Sequence, residues 1–140
     1  MDADDLFDEG SLEKVEPSLE ASAKSLKLAK NWLRRAKDSN ILGYKDMTVL
    51  ASFISMFHAA KAIMLKDGVR EKEDRVVAEY VRRAYPELKE HATSLDQYWR
   101  LASAIQRDPE ISVYGSDAKG ALNSAKGFIK FVERSLKPPQ

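Results

Sequence analysis

The chain has 140 residues, 32% of them charged and 44% hydrophobic, with a formal net charge of +1 and no cysteine. That length fits one domain with a core that needs no staples. The missing cysteine excludes a disulfide framework and a thiolate zinc site. Two histidines far apart in sequence, His58 and His91, give no reason to expect a metal site or a cofactor.

Charge is unevenly placed. Residues 1–20 carry Asp2, Asp4, Asp5, Asp8, Glu9, Glu13, Glu16 and Glu20 against Lys14 alone, a net of −7, and the remainder carries +8. A mildly basic body behind an acidic leader permits binding to nucleic acid or to an acidic partner. The acidic start lacks the basic n-region of a secretory signal, so a soluble, cytoplasmic protein without membrane association is expected.

Residues 1–16 show no apolar stripe and are expected to be a flexible leader. Pro17 suits the first turn of a helix. From there Leu19, Ala23, Leu26, Ala29, Leu33 and Ala36 form a stripe to about Asp38, and Ser39-Asn40 and Gly43 predict a turn. A second helix is expected from about Tyr44 to Asp67, closed by Gly68. It is apolar nearly all round, through Val49, Phe53, Phe57, Ala60 and Met64 on one face and Met47, Leu50, Ile54, Ala62 and Leu65 on the other. Such a helix belongs in the middle of a bundle. Ser55, His58, Lys61 and Lys66 interrupt it, which argues against a membrane span.

Residues 69–72 read as a polar connection. A third helix follows over about Glu73 to Tyr85, with Val77, Tyr80, Val81 and Ala84 inward, and Pro86 stops it. Thr93 or Ser94 could cap a fourth helix that buries Leu95, Tyr98, Ala102 and Ile105, ending at Asp108-Pro109. After a loop with Tyr114-Gly115, Ser116 or Asp117 caps the last helix. Its stripe runs through Ala118, Ala121, Leu122, Ala125, Phe128, Ile129, Val132 and Leu136, and Pro138-Pro139 closes it. No strand pattern stands out. The expected fold is all-α, an up-and-down bundle of about five helices forming a single domain over residues 17–137.

No P-loop, dinucleotide-binding glycine pattern, HExxH, GxSxG or EF-hand loop is present, and the carboxylates are scattered over polar faces. Lys27, Lys30, Arg34 and Lys37 share one helix face, and Lys126, Lys130, Arg134 and Lys137 repeat the theme on the last helix. Like charges at this spacing repel unless something neutralises them. Either stripe is a solvated face or a site for phosphate or an acidic partner, and the acidic leader could fold back onto the first. His58, inside the apolar helix, reads as a packed histidine unless a pocket partner gives it work, and His91 as a surface or capping residue.

The chain resembles HEPN-domain proteins, most nearly the small stand-alone archaeal and bacterial members. The resemblance covers about residues 17–137. It is carried by Met56-Phe57-His58-Ala59-Ala60-Lys61-Ala62 with the Gly68 stop, Val76-Val77-Ala78-Glu79-Tyr80, Tyr98, Tyr114-Gly115, and Ala118 with Ala125-x-x-Phe128-Ile129. It implies a five-helix bundle that usually forms a homodimer. Many members go with a small nucleotidyltransferase, fused or separate. Some bind nucleotides, and many are metal-independent RNases, toxins among them. In the RNases an Arg followed after four to six residues by His lines a cleft between protomers. Here the positions after Arg100 hold Ile105, Gln106 and Arg107, and those after Arg107 hold Ser112, Val113 and Tyr114. Tyrosine, with an ordinary pKa near 10, is a poor base at neutral pH.

The resemblance therefore implies a non-catalytic dimeric module that binds a nucleotide, RNA or a nucleotidyltransferase partner, with Arg107, Tyr114, His58 and Arg100 as ligand-cleft candidates. The alternative is a divergent metal-independent RNase or toxin of a HEPN–nucleotidyltransferase pair, using Arg107 with Tyr114 or His58. A third reading is a purely structural interaction protein whose acidic leader and basic body govern assembly.

Overall fold

The computed structural model describes residues 3–136. It is a helical bundle built on two long antiparallel helices, α2 (Leu19–Leu42) and α3 (Lys45–Asp67). Ser18 caps α2, its hydroxyl accepting from the Ala21 amide at 3.0 Å, which satisfies one of the orphan donors of the first turn. Ser39 and Asn40 stay helical, so α2 runs past the expected Asp38. The reversal is made at Gly43, which takes a left-handed φ of 82°.

Three serines fasten this pair. Ser22 Oγ donates to the Ala62 carbonyl at 2.6 Å, Ser25 Oγ to the His58 carbonyl at 2.8 Å, and Ser55 Oγ to the Ala29 carbonyl at 2.7 Å. Ala29, Ala36, Ala59 and Ala62 are all buried, so the two helices meet through small side chains. The expected stripe on α2 is corrected at its start. Ser22 takes the inward position, and Leu19 is 71% exposed.

By length and composition α3 could cross a membrane, and most of it is buried inside the bundle. The remaining helices pack around it: α4 (Val76–Ala84), α5 (Lys89–Arg107) and α6 (Gly115–Leu136). The fourth expected helix starts earlier than Thr93. Pro86 opens a 3-10 turn, Pro86–Leu88, that runs directly into α5. Its ring fits there because a first-turn amide needs no partner. Thr93 Oγ1 donates to the Lys89 carbonyl instead of capping. On α6 the expected stripe is buried from Ala118 to Val132, with Leu136 half-buried. Lys137, Pro138 and Pro139 lie outside the described residues.

The leader departs most from expectation. From residue 3 onward it is structured, as α1 (Asp4–Asp8) and β1 (Leu12–Lys14). The 69–72 connection contains β2 (Val69–Glu71), and the two strands pair antiparallel with Leu12 opposite Glu71 and Lys14 opposite Val69. Leu6 and Leu12, each 3% exposed, join the main core. The described leader is thus part of the domain. Two apolar side chains provide the anchor, and the acids around them face outward or meet cations, as Glu13 does with Arg70 at 3.9 Å.

Where β2 leaves α3, Asp67 closes the helix at the end where its own charge is disfavoured. Tyr80 and Tyr85 both donate their hydroxyls to Asp67 Oδ2, at 2.7 and 2.6 Å. Burial first, and the adjacent carboxylate second, push both phenols well above the ordinary tyrosine value.

Candidate ligand-binding end of the bundle

Arg107 is the last residue of α5, and Tyr114 immediately precedes α6. The loop between them is held by backbone chemistry. The Glu110 amide donates to Asp108 Oδ1 at 2.9 Å, and the Tyr114 amide to Asp117 Oδ2 at 2.9 Å. Asp117 thus reaches back from the third position of α6, the reciprocal half of a capping box. Neither the Arg107 guanidinium nor the Tyr114 hydroxyl makes a hydrogen bond or ion pair with any described residue. Both are exposed, Tyr114 by 65%.

The loop packs at the same end of the molecule as the α2–α3 reversal. A cleft of about 510 Å³ opens between them, lined by Tyr44, Lys45, Asp46, Ile105, Asp108 and Ile111 among others. Among the described residues the exposed large apolar side chains are Ile41 (81%), Leu42, Tyr44, Met47, Ile111 and Tyr114, together with Leu19 and Leu28 on α2. All but the last two belong to this end. Scattered exposed leucines are ordinary, whereas apolar side chains gathered in one place mark an interaction site.

Arg107 and Tyr114 adjoin this cleft through their neighbours Asp108 and Val113 but do not line it, and His58 and His91 lie farther off. His58 lies thirteen residues along α3 from Lys45, or ~20 Å at 1.5 Å per residue. Its ring stands edge-on to Phe57 at 5.7 Å. Burial holds its pKa below the ordinary histidine value, Lys61 adds to that, and Glu71 opposes it. His91 lies sixteen residues from Arg107 along α5, about 24 Å by the same rise. Its ring stacks on Phe128 at 5.1 Å between centroids, and burial lowers its pKa as well. His91 is therefore a packing residue and not the surface or capping residue expected. Arg107, exposed beside the cleft residue Asp108 and with neither His58 nor His91 in reach, can hold an anion but has no imidazole beside it as a neutral-pH proton carrier.

Arg100 sits two turns before Arg107 on the same face of α5, about 10 Å away at 1.5 Å per residue. It lines a smaller cleft of about 150 Å³ against α4, with Asp74, Arg75, Asp96 and Trp99. The Arg75 guanidinium lies over the Trp99 ring at 5.5 Å. Sequence reasoning missed this pair, because twenty-three intervening residues leave no local signal.

The two basic stripes both lie exposed, with Lys27, Lys30, Arg34 and Lys37 on α2 and Lys126, Lys130 and Arg134 on α6. Lys30 pairs with Glu133 of α6.

A HEPN domain family model matches residues 22–135. The chain belongs to the HEPN family. The match begins inside α2 and runs almost to the end of α6, so the HEPN bundle comprises the two-helix centre with α4, α5 and α6, while α1 and β1 fall outside the matched residues. A search of the curated proteins finds no match. The HEPN assignment agrees with an all-α fold, to which the two three-residue strands are a minor supplement.

Proposed function

We propose that this HEPN protein is a non-catalytic module that self-associates through the end of the bundle bearing Tyr44, Met47, Ile111 and Tyr114. There it holds a phosphate-bearing ligand or partner against Arg107. One observation carries the reading: exposed apolar side chains gather at this end, beside an arginine that no described residue engages. Burying such a patch is favourable by roughly 25 cal/mol per Å², and an Arg fork left free at its margin suits a phosphate. A nucleotide, an RNA or a nucleotidyltransferase partner are the occupants that the family implies. The separation of His58 and His91 from Arg107 supports binding over cleavage.

The test scores association and cleavage together. The purified protein is run in sedimentation velocity beside Met47→Asp, and incubated with single-stranded and structured RNA in EDTA beside Arg107→Ala. A dimer that Met47→Asp converts to monomer, with intact RNA throughout, supports the reading. EDTA-resistant cleavage lost in Arg107→Ala overturns its non-catalytic half. A monomer at micromolar concentration overturns the association half.

A further inference from the structure

The two basic stripes stand far apart in sequence, but the fold sets them side by side. The N-terminal part of α2 lies against the C-terminal part of α6. Leu19, Ala23, Leu26, Lys27 and Lys30 share one groove with Glu133 and Leu136, and Lys30 pairs with Glu133. The helices are therefore antiparallel, and as one number rises along α2 the other falls along α6. Carried forward turn by turn, that register sets Arg34 beside Lys130 and Lys37 beside Lys126.

Helical spacing fixes the faces too. The buried positions of α2 include Leu26, Ala29, Leu33 and Ala36, and Lys27, Lys30, Arg34 and Lys37 flank them on the side toward α6. On α6 the buried positions include Leu122, Ala125, Ile129 and Val132, and Lys119, Lys126 and Lys130 flank them on the side toward α2, with Arg134 further round. All of these cations are exposed. Glu133 sits within the seam and Asp38 lies further round α2. Glu20, at the start of α2, is paired with Lys24 at 3.3 Å.

We propose that this α2–α6 seam is a track for the phosphate backbone of a nucleic-acid strand. Three observations favour that occupant. The cations recur with each helical turn on both walls, so they offer a ladder of positive charge ~15 Å long on α2. Like charges three and four residues apart destabilise a helix when nothing neutralises them, and a polyanion would do so. The groove at the lower end of the seam, about 640 Å³ and walled by Leu19, Ala23, Leu26 and Leu136, gives an unstacked base an apolar surface beside Lys27 and Lys30. Phosphate contacts carry no sequence information, so a backbone track binds independently of sequence. This deepens the RNA branch of the proposed function, but it rests on the side of the bundle and not on the Arg107 end.

The experiment measures fluorescence anisotropy of a labelled oligouridylate of about twenty nucleotides and its deoxy counterpart with the full chain. The comparison variants are Lys37→Gln/Lys126→Gln and Met47→Asp, with circular dichroism to establish that each is folded. With about five phosphates engaged, affinity falls on the order of 100-fold between 50 and 200 mM salt, and loss of two contacts reduces the log–log salt slope by about 1.4. Similar binding of both oligonucleotides supports a backbone track, and tighter binding of the ribose form supports it with the RNA as source. Unchanged affinity and slope in a folded Lys37→Gln/Lys126→Gln protein overturn the proposal. Binding lost only in Met47→Asp overturns the seam while leaving the Arg107-end reading intact. Binding lost only in the seam variant does the reverse for RNA at that end. Poly-glutamate that displaces the oligonucleotide at equal charge overturns the proposal in favour of an acidic protein.

Discussion

Gly68 meets Pro17 so closely that a Cβ on the glycine would lie 2.8 Å from the proline Cγ, and equally 2.8 Å from the Val15 carbonyl oxygen. Gly68 also holds a left-handed φ of 78° as the cap of α3. Two costs therefore fall on one substitution, since non-glycine residues pay roughly 1–2 kcal/mol in that backbone region and the clash is partly with rigid backbone. Gly43 takes a similar φ of 82° with nothing near its Cβ direction. Gly68→Ala should cost about 3 kcal/mol or more and Gly43→Ala about 1 kcal/mol. Urea unfolding of the two variants checks the ordering. Equal losses would mean that the leader does not press on Gly68.

The same junction makes the leader testable. Leu12 is buried where β1 pairs with β2, and the strands are extended by the Val15 amide on the Gly68 carbonyl at 2.9 Å and the Lys72 amide on the Ser11 carbonyl at 3.0 Å. Leu12→Ala should cost about 2–5 kcal/mol, as buried leucines do. The measurement is the denaturation midpoint. A change below about 0.5 kcal/mol would restore the leader to the flexible segment expected from its composition.

Legibility in the sequence followed physical cause. The end of α3 was readable because a helix stop with positive φ needs Gly68. The inward face of α6 was readable because Ala118 through Val132 uses apolar side chains at every core position. The start of α2 was not, since Ser22 fills a core position and satisfies its hydroxyl on the Ala62 carbonyl, a partner forty residues away. Strands of three residues carry no period to detect. Each basic stripe was visible as helical spacing, but their adjacency depends on which helices neighbour one another. The separation of His58 and His91 from Arg107 likewise needs the fold.

Two serines on α3 should respond differently to the same substitution. Ser55 Oγ bonds the Ala29 carbonyl, whereas Ser52 Oγ is buried without a partner among the described residues. Removing a satisfied buried hydroxyl typically costs about 1 kcal/mol, and removing an unsatisfied one recovers its desolvation penalty. Ser55→Ala should therefore lower stability by about 1 kcal/mol, while Ser52→Ala should leave it unchanged or raise it by a similar amount. Denaturant midpoints of the two variants, compared with the parent, decide this. A loss at Ser52 equal to that at Ser55 would mean that the Ser52 hydroxyl has a partner.

The two histidines give stability a pH dependence whose sign is fixed by burial. Both have folded pKa values below the ordinary 6.5, with burial the main cause, reinforced by Lys61 at His58 and opposed by Glu90 at His91. As pH falls through 6.5 the unfolded chain takes up protons that the folded chain resists, so the unfolded state binds more protons and folding is penalised. The contribution is whole above about 6.5 and is lost as pH falls through the folded values, with a slope of at most about 1.4 kcal/mol per pH unit for each histidine. His91→Phe keeps a ring against Phe128, which lies 5.1 Å away, and removes one titrating group. Unfolding free energies measured from pH 8 to pH 5 should fall less steeply for His91→Phe than for the parent, with the two chains closest in slope above pH 7. Parallel curves over the whole range would mean that His91 takes up its proton as readily in the folded chain as in the unfolded one, and the stacked, half-buried ring would then have to open to water.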